Sequence, residues 1–142
     1  MSAIDARPAR ITDLGLTFAP FAILIGAAII GGTFAGDVLY ARAQWTFRAA
    51  MLLAVPALAL FVFSFGRRPL GTLWRLWWTF AFLATAIHTA FALIGMHGGD
   101  LASVPQTMGE TGAILVTAVL LIMALDVALA WTLPKARPSR SD

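Results

Sequence analysis

The chain has 142 residues, a formal net charge of +3, 60% hydrophobic residues and only 12% charged ones, with a mean hydropathy of +0.85. Soluble domains carry about a quarter charged residues, so this composition excludes an ordinary soluble fold and indicates an integral membrane protein. The absence of cysteine removes disulfides, thiolate metal sites and dithiol chemistry. The basic residues are spread along the ends of apolar runs, where membrane topology accounts for them without nucleic acid.

Four apolar runs are predicted as transmembrane helices, over residues 14–36, 48–65, 73–95 and 111–133. Each is near the ~20 residues that a ~30 Å hydrocarbon core requires. They are continuous rather than alternating, which excludes barrel strands. The fold class expected is an all-α membrane protein, an antiparallel bundle of four transmembrane helices forming one domain over residues 1–133. A disordered cytoplasmic tail is expected over 134–142, where Pro, Ser and basic residues dominate.

The first run follows Arg7 and Arg10 and exceeds the ~7–15 apolar residues of a signal peptide, so it is expected to remain as a span. Ala28, Gly32 and Gly36 recur at a spacing of four, a small-residue ridge that lets another helix approach closely. A connection of about ten residues follows, with Tyr40 and Trp45 expected as interfacial anchors at its boundary. Pro20 and Pro56 lie inside the first two runs, and each removes one backbone donor and is expected to kink its helix.

A tight turn at Gly66-Arg67-Arg68-Pro69 leads to the third run, which opens with Trp74, Arg75, Trp77 and Trp78. These indoles, together with Trp131 at the end of the fourth run, are expected to anchor the opposite boundary. Further along, Ala81, Ala84, Thr85, His88, Ala92 and Gly95 share one small, polar face. His88 lies inside the span, where an ionisable group is costly and faces protein or water. The structural expectation is that a neutral imidazole hydrogen-bonds a threonine or a backbone carbonyl across a helix contact; the functional alternatives are a ligand or a proton relay.

Residues 96–110 are expected to form a distal loop, with turn signals at Gly98, Gly99, Pro105 and Gly109. His97, Asp100 and Glu110 in that loop are more readily explained as solvated polar groups than as a metal site. In the fourth run Asp126 needs a partner, and an ion pair with Arg75 is the structural expectation.

Eight of the ten basic residues (Arg7, Arg10, Arg67, Arg68, Arg75, Lys135, Arg137 and Arg140) flank one side of the four spans, against Arg42 and Arg48 on the other. The positive-inside rule then places a multi-pass protein in an inner membrane with both termini cytoplasmic.

No complete catalytic, metal or nucleotide motif is present, and a non-enzyme is expected. No cofactor follows from the residues. Haem b stays open only with a second chain, because His97 lies nine residues along from His88, on the opposite side of a helix. The leading functional expectation is an anchoring or accessory subunit of a larger inner-membrane complex, a respiratory one among the candidates. Its partners would be the lipid bilayer and other membrane subunits or further copies of itself. The alternatives are a small oligomeric transporter or channel using Asp126 and His88, and a haem- or quinone-binding electron-transfer subunit.

Overall fold

The computed structural model describes residues 9–63 and 71–132. The expected turn at 66–69, the tail over 134–142 and Arg7, Arg67, Arg68, Lys135, Arg137 and Arg140 lie outside these residues. Four long helices make up the described chain: α1 (Ile11–Gly32), α2 (Val38–Phe63), α3 (Thr72–His97) and α4 (Val104–Thr132), with a short 3-10 turn over Leu101–Ser103. Each of the four is long and apolar enough to cross a membrane. The chain is a small multi-pass membrane protein with an all-α, four-helix architecture.

The boundaries differ from those expected of the sequence in three places, the first being the end of α1 at Gly32 rather than Gly36. Helix α2 starts at Val38, ten residues before the predicted span, because Arg42, Gln44 and Arg48 interrupt the hydropathy without interrupting the helix. Arginine and glutamine are good helix formers. The expected loop over 96–110 is largely helical too. Helix α3 runs to His97 and stops where Gly98 takes a left-handed φ of 61°. Asp100 then opens the 3-10 turn by accepting the Ala102 N–H at 2.9 Å. Helix α4 begins at once and is interrupted only at Gly109, whose φ of 76° and ψ of 158° break the helical path. Helices α1 and α2 continue through Pro20 and Pro56.

Helix α3 is the centre of the molecule. It packs against α1 and α2, which also pack on each other, whereas α4 touches only α3 and the 3-10 turn. The core lies within the three-helix unit and is built from Ile25, Ala49, Ala50, Leu53, Ala81 and Ala84. Ala57, Ala81 and Ala84 are 0% exposed. Small side chains at these positions let helix backbones approach, which is how helices associate in lipid, where burial of apolar surface supplies little driving force. Near the end of the bundle where α1 begins and α4 finishes (the terminal end), Phe21 and Phe80 pack with ring centroids 5.0 Å apart and Phe18 closes the cluster.

Two glycines set the closest approaches at the other, distal end. A Cβ on Gly32 would lie 3.0 Å from the backbone N of Arg42, and one on Gly95 would lie 2.8 Å from the backbone carbonyl carbon of Leu39. Gly36 does not take part in this ridge. It lies in the bend after α1 and is exposed, and a Cβ on it would meet nothing within 4 Å, because α1 has already ended at Gly32.

Helix α4 is bound loosely by comparison. Only Met123 of its residues is buried, and two polar contacts tie it to α3. The Trp131 indole donates to Thr79 Oγ1 at 2.9 Å, and His97 Nδ1 lies 3.1 Å from Thr107 Oγ1. The Thr107 hydroxyl itself donates to the Ser103 carbonyl at 2.7 Å, so the imidazole N–H is the donor in the first contact.

Candidate functional site

The polar residues inside the helices fall into three groups, and their geometry separates them. The first is the α2–α3 seam around His88. Its Nδ1 lies 2.9 Å from the Ala43 carbonyl oxygen. A carbonyl can only accept, so Nδ1 carries the proton and, in the neutral ring, Nε2 keeps its lone pair. The Phe47 ring packs beside the imidazole at 5.1 Å between centroids. Thr85 is not the partner of His88, because its hydroxyl donates to Ala81 O, one turn back on its own helix, at 2.8 Å.

The same back-bonding satisfies most of the buried hydroxyls. Thr17 donates to Asp13 O at 2.9 Å, Thr46 to Arg42 O at 2.7 Å and Thr89 to Thr85 O at 2.9 Å. Such threonines meet their hydrogen-bonding needs locally and do not reach toward a ligand.

The second group is the distal junction of α1 and α2. Arg42 Nε donates to the Ile29 carbonyl at 3.2 Å, and its guanidinium lies 5.9 Å from the centroid of Phe91. The side chain thus crosses over Gly32 to the C-terminal turn of α1, where the orphan carbonyls and the helix dipole favour a cation. Charge counting along the sequence marks Arg42 only as an outer loop charge. A basic residue ten positions after the Gly31-Gly32 helix end is the available signal for this role.

The third group holds the charges with no such accommodation. Arg75 and Asp126 do not pair, and neither side chain has a hydrogen-bond or ion-pair partner among the described residues. The expected ion pair therefore fails. Asp126 lies on the flank of α4, three residues after Met123, the residue that faces α3, and is half-buried. Arg48 stands exposed on α2 with its guanidinium 5.5 Å from the centroid of Trp45 and no carboxylate beside it. A charged side chain at the middle of a spanning helix costs about 2.5–3.5 kcal/mol on insertion scales.

The tryptophans divide as well. Trp74 is buried and stacks on Trp78 with centroids 6.1 Å apart and planes 14° from parallel. The Trp78 indole nitrogen is buried without a hydrogen-bond partner among the described residues, and Trp77 packs against the core. Tyr40, Trp45 and Trp131 are exposed at 42%, 48% and 46%. Ala28 is buried in the core and Ala92 is half-buried.

The structure does not bring His88 and Asp126 together. Thr79, which holds α4, and His88, which holds α2, are nine residues apart, about 180° around α3. Helix α3 therefore stands between the two. His97 follows Thr79 by five turns on the α4 side, so the two histidines also face opposite ways. Among the described residues no three His, Asp or Glu side chains gather as a metal-binding group. No family model matches the chain, nor does any curated protein or solved structure.

Proposed function

We propose that this protein is an anchoring or accessory subunit of a larger membrane complex, seated in an inner membrane with both termini cytoplasmic. The observation that carries this reading is the contrast between the two parts of the fold. Within α1, α2 and α3 most of the buried polar groups are satisfied, through His88, Arg42 and the back-bonded threonines, with the Trp78 indole nitrogen and the Arg75 side chain as exceptions among the described residues. Helix α4 and the outer face of α2 present Asp126 and Arg48 to the surroundings with no carboxylate or cation among the described residues to answer them.

Exposed apolar side chains need no partner in a bilayer, since lipid tails serve them as well as leucine does. Exposed charges do, and in membrane proteins they are met by protein or water. A path for ions or protons through one copy of the chain is disfavoured, because α3 separates His88 from Asp126. The test is gentle extraction, affinity capture through a tag and identification of what co-purifies. Recovery of the same membrane polypeptides at fixed ratio supports the reading. Recovery of the chain with lipid alone rejects it.

A second reading has one specific observation in its favour. Nδ1–H donated to a carbonyl, with Nε2 left as a lone pair, is the arrangement that orients ligating histidines. A haem-binding subunit would use His88 Nε2 with a second ligand from another chain, since His97 faces away. A Soret band in the purified complex that disappears in His88→Gln would establish this reading. Its absence in complex purified from cells supplied with haem would remove it.

A further inference from the structure

Three helix contacts give the vertical register of the bundle. The Arg42 backbone lies against Gly32, and that of Leu39 against Gly95. Counting along antiparallel neighbours, Arg48 falls level with Gly26 of α1 and with Ala86 of α3. Ala86 is close to the middle of α3. Arg48 is therefore well inside the bilayer, and it shares the outer face of α2 with exposed Gln44, Met51 and Val55, away from both α1 and α3.

The third contact, the Trp131–Thr79 hydrogen bond, sets the level of Asp126. Helical side chains lean toward the N-terminus of their own helix, so the Trp131 backbone lies up to a turn nearer the terminal end than Thr79. Asp126, five residues nearer the distal end than Trp131, comes within roughly 3–9 Å of the level of Arg48 at 1.5 Å per residue. An extended arginine covers that offset.

The two charges cannot meet within one chain. Helix α4 has no contact with α2, and α3 lies between them. In one membrane, however, all copies of the chain share depth and orientation, so equal depth in one copy is equal depth between copies. We propose that the α2 face bearing Arg48 and the α4 flank bearing Asp126 are the two halves of a contact between copies of this chain, in which Asp126 of one copy pairs with Arg48 of the next. This narrows the function proposed above by naming a second copy as one of the subunits.

Because the two surfaces are different and lie at opposite edges of α3, the contact is head-to-tail. Successive copies close into a ring rather than a two-fold dimer. In the single chain the Arg48 guanidinium rests over Trp45, and a change of side-chain torsion releases it toward the carboxylate.

The natural absence of cysteine gives a clean background for the test. Arg48→Cys and Asp126→Cys are made singly, together, and as two differently tagged chains expressed in one cell, and membranes are treated with a short thiol-to-thiol cross-linker. The double variant should give a ladder of dimers and higher species. The co-expressed singles should give a dimer carrying both tags, and neither single alone should cross-link. A dimer from Asp126→Cys alone would show a symmetric α4–α4 contact and overturn the proposal, as would a wild-type chain that native mass spectrometry in mild detergent finds monomeric. Loss of the oligomer in Arg48→Asp and in Asp126→Arg, with its return in the double exchange, would support the pairing. Failure of the exchange to restore it, with every variant present in the membrane at wild-type level, would refute it. If copies cross-link but no other polypeptide is captured, only the accessory-subunit reading falls; if other polypeptides are captured and copies do not cross-link, only the pairing between copies does.

Discussion

A methyl group added at Gly95 provides the sharpest test of how α2 and α3 are held together. A Cβ there would sit 2.8 Å from both the carbonyl carbon and the Cβ of Leu39 and 3.0 Å from the Leu39 oxygen. Two of these three atoms are backbone, so no rotamer change relieves the overlap, and the helices must separate by several tenths of an ångström. That separation strains the whole seam, including the 2.9 Å contact between His88 and Ala43. Overpacking of this kind costs about 1–3 kcal/mol.

The substitution also brings a gain, because alanine is favoured over glycine inside a helix by about 1 kcal/mol. Gly26→Ala isolates that gain, since a Cβ on Gly26 has nothing within 4 Å. The informative quantity is therefore the difference between the two variants, expected at about 1–3 kcal/mol in favour of Gly26→Ala. Reversible unfolding in mixed detergent micelles, followed by helical circular dichroism, measures it. Equal stability of Gly95→Ala and Gly26→Ala would show that the α2 and α3 backbones do not meet at Leu39 and Gly95.

Replacing His88 with Leu should cost only about 0.6 kcal/mol and at most about 1.7, the range measured for hydrogen bonds between membrane helices. The Ala43 carbonyl lies inside α2 and keeps the backbone N–H of Phe47, four residues on, as its helical donor, so it is not stranded, and a loss of several kcal/mol in the same unfolding assay would contradict this accounting. Trp131→Phe and Thr79→Val each remove the same α3–α4 hydrogen bond. Their double variant should thus lose little more than either single, and additive losses would show that the bond is not made. Arg75→Ala and Asp126→Ala should by contrast be additive within about 0.5 kcal/mol, because the two side chains do not touch; a coupling well above that would restore the ion pair. A tag inserted at Gly98-Gly99 should be reached by an impermeant reagent from the periplasmic side, and labelling from the cytoplasmic side alone would reverse the proposed orientation.

Length and composition were enough to establish the kind of protein this is, and the reason is physical. A bilayer forces each spanning segment to satisfy its own backbone, so four apolar runs of about 20 residues specify four helices without reference to one another. The small face of α3, running through Ala81, Ala84, His88 and Gly95, was legible for the same reason, because helical periodicity places those residues together before any partner is known.

What the linear pattern could not show was which polar groups are already satisfied. Hydropathy counts Arg42 and Arg48 alike. Only the packing of α1 against α2 shows that one reaches the Ile29 carbonyl across Gly32 while the other stands exposed beside Trp45. Spacing along the chain also pairs Arg75 with Asp126, on the assumption of a compact bundle in which every helix is equally enclosed. The tertiary structure instead sets α4 apart on one side of α3, held by Trp131 and Thr107 at its two ends. The partner of a charge depends on which faces meet, and that is decided by the approach of whole helices, here by where glycine and alanine let backbones come close, rather than by position in the sequence.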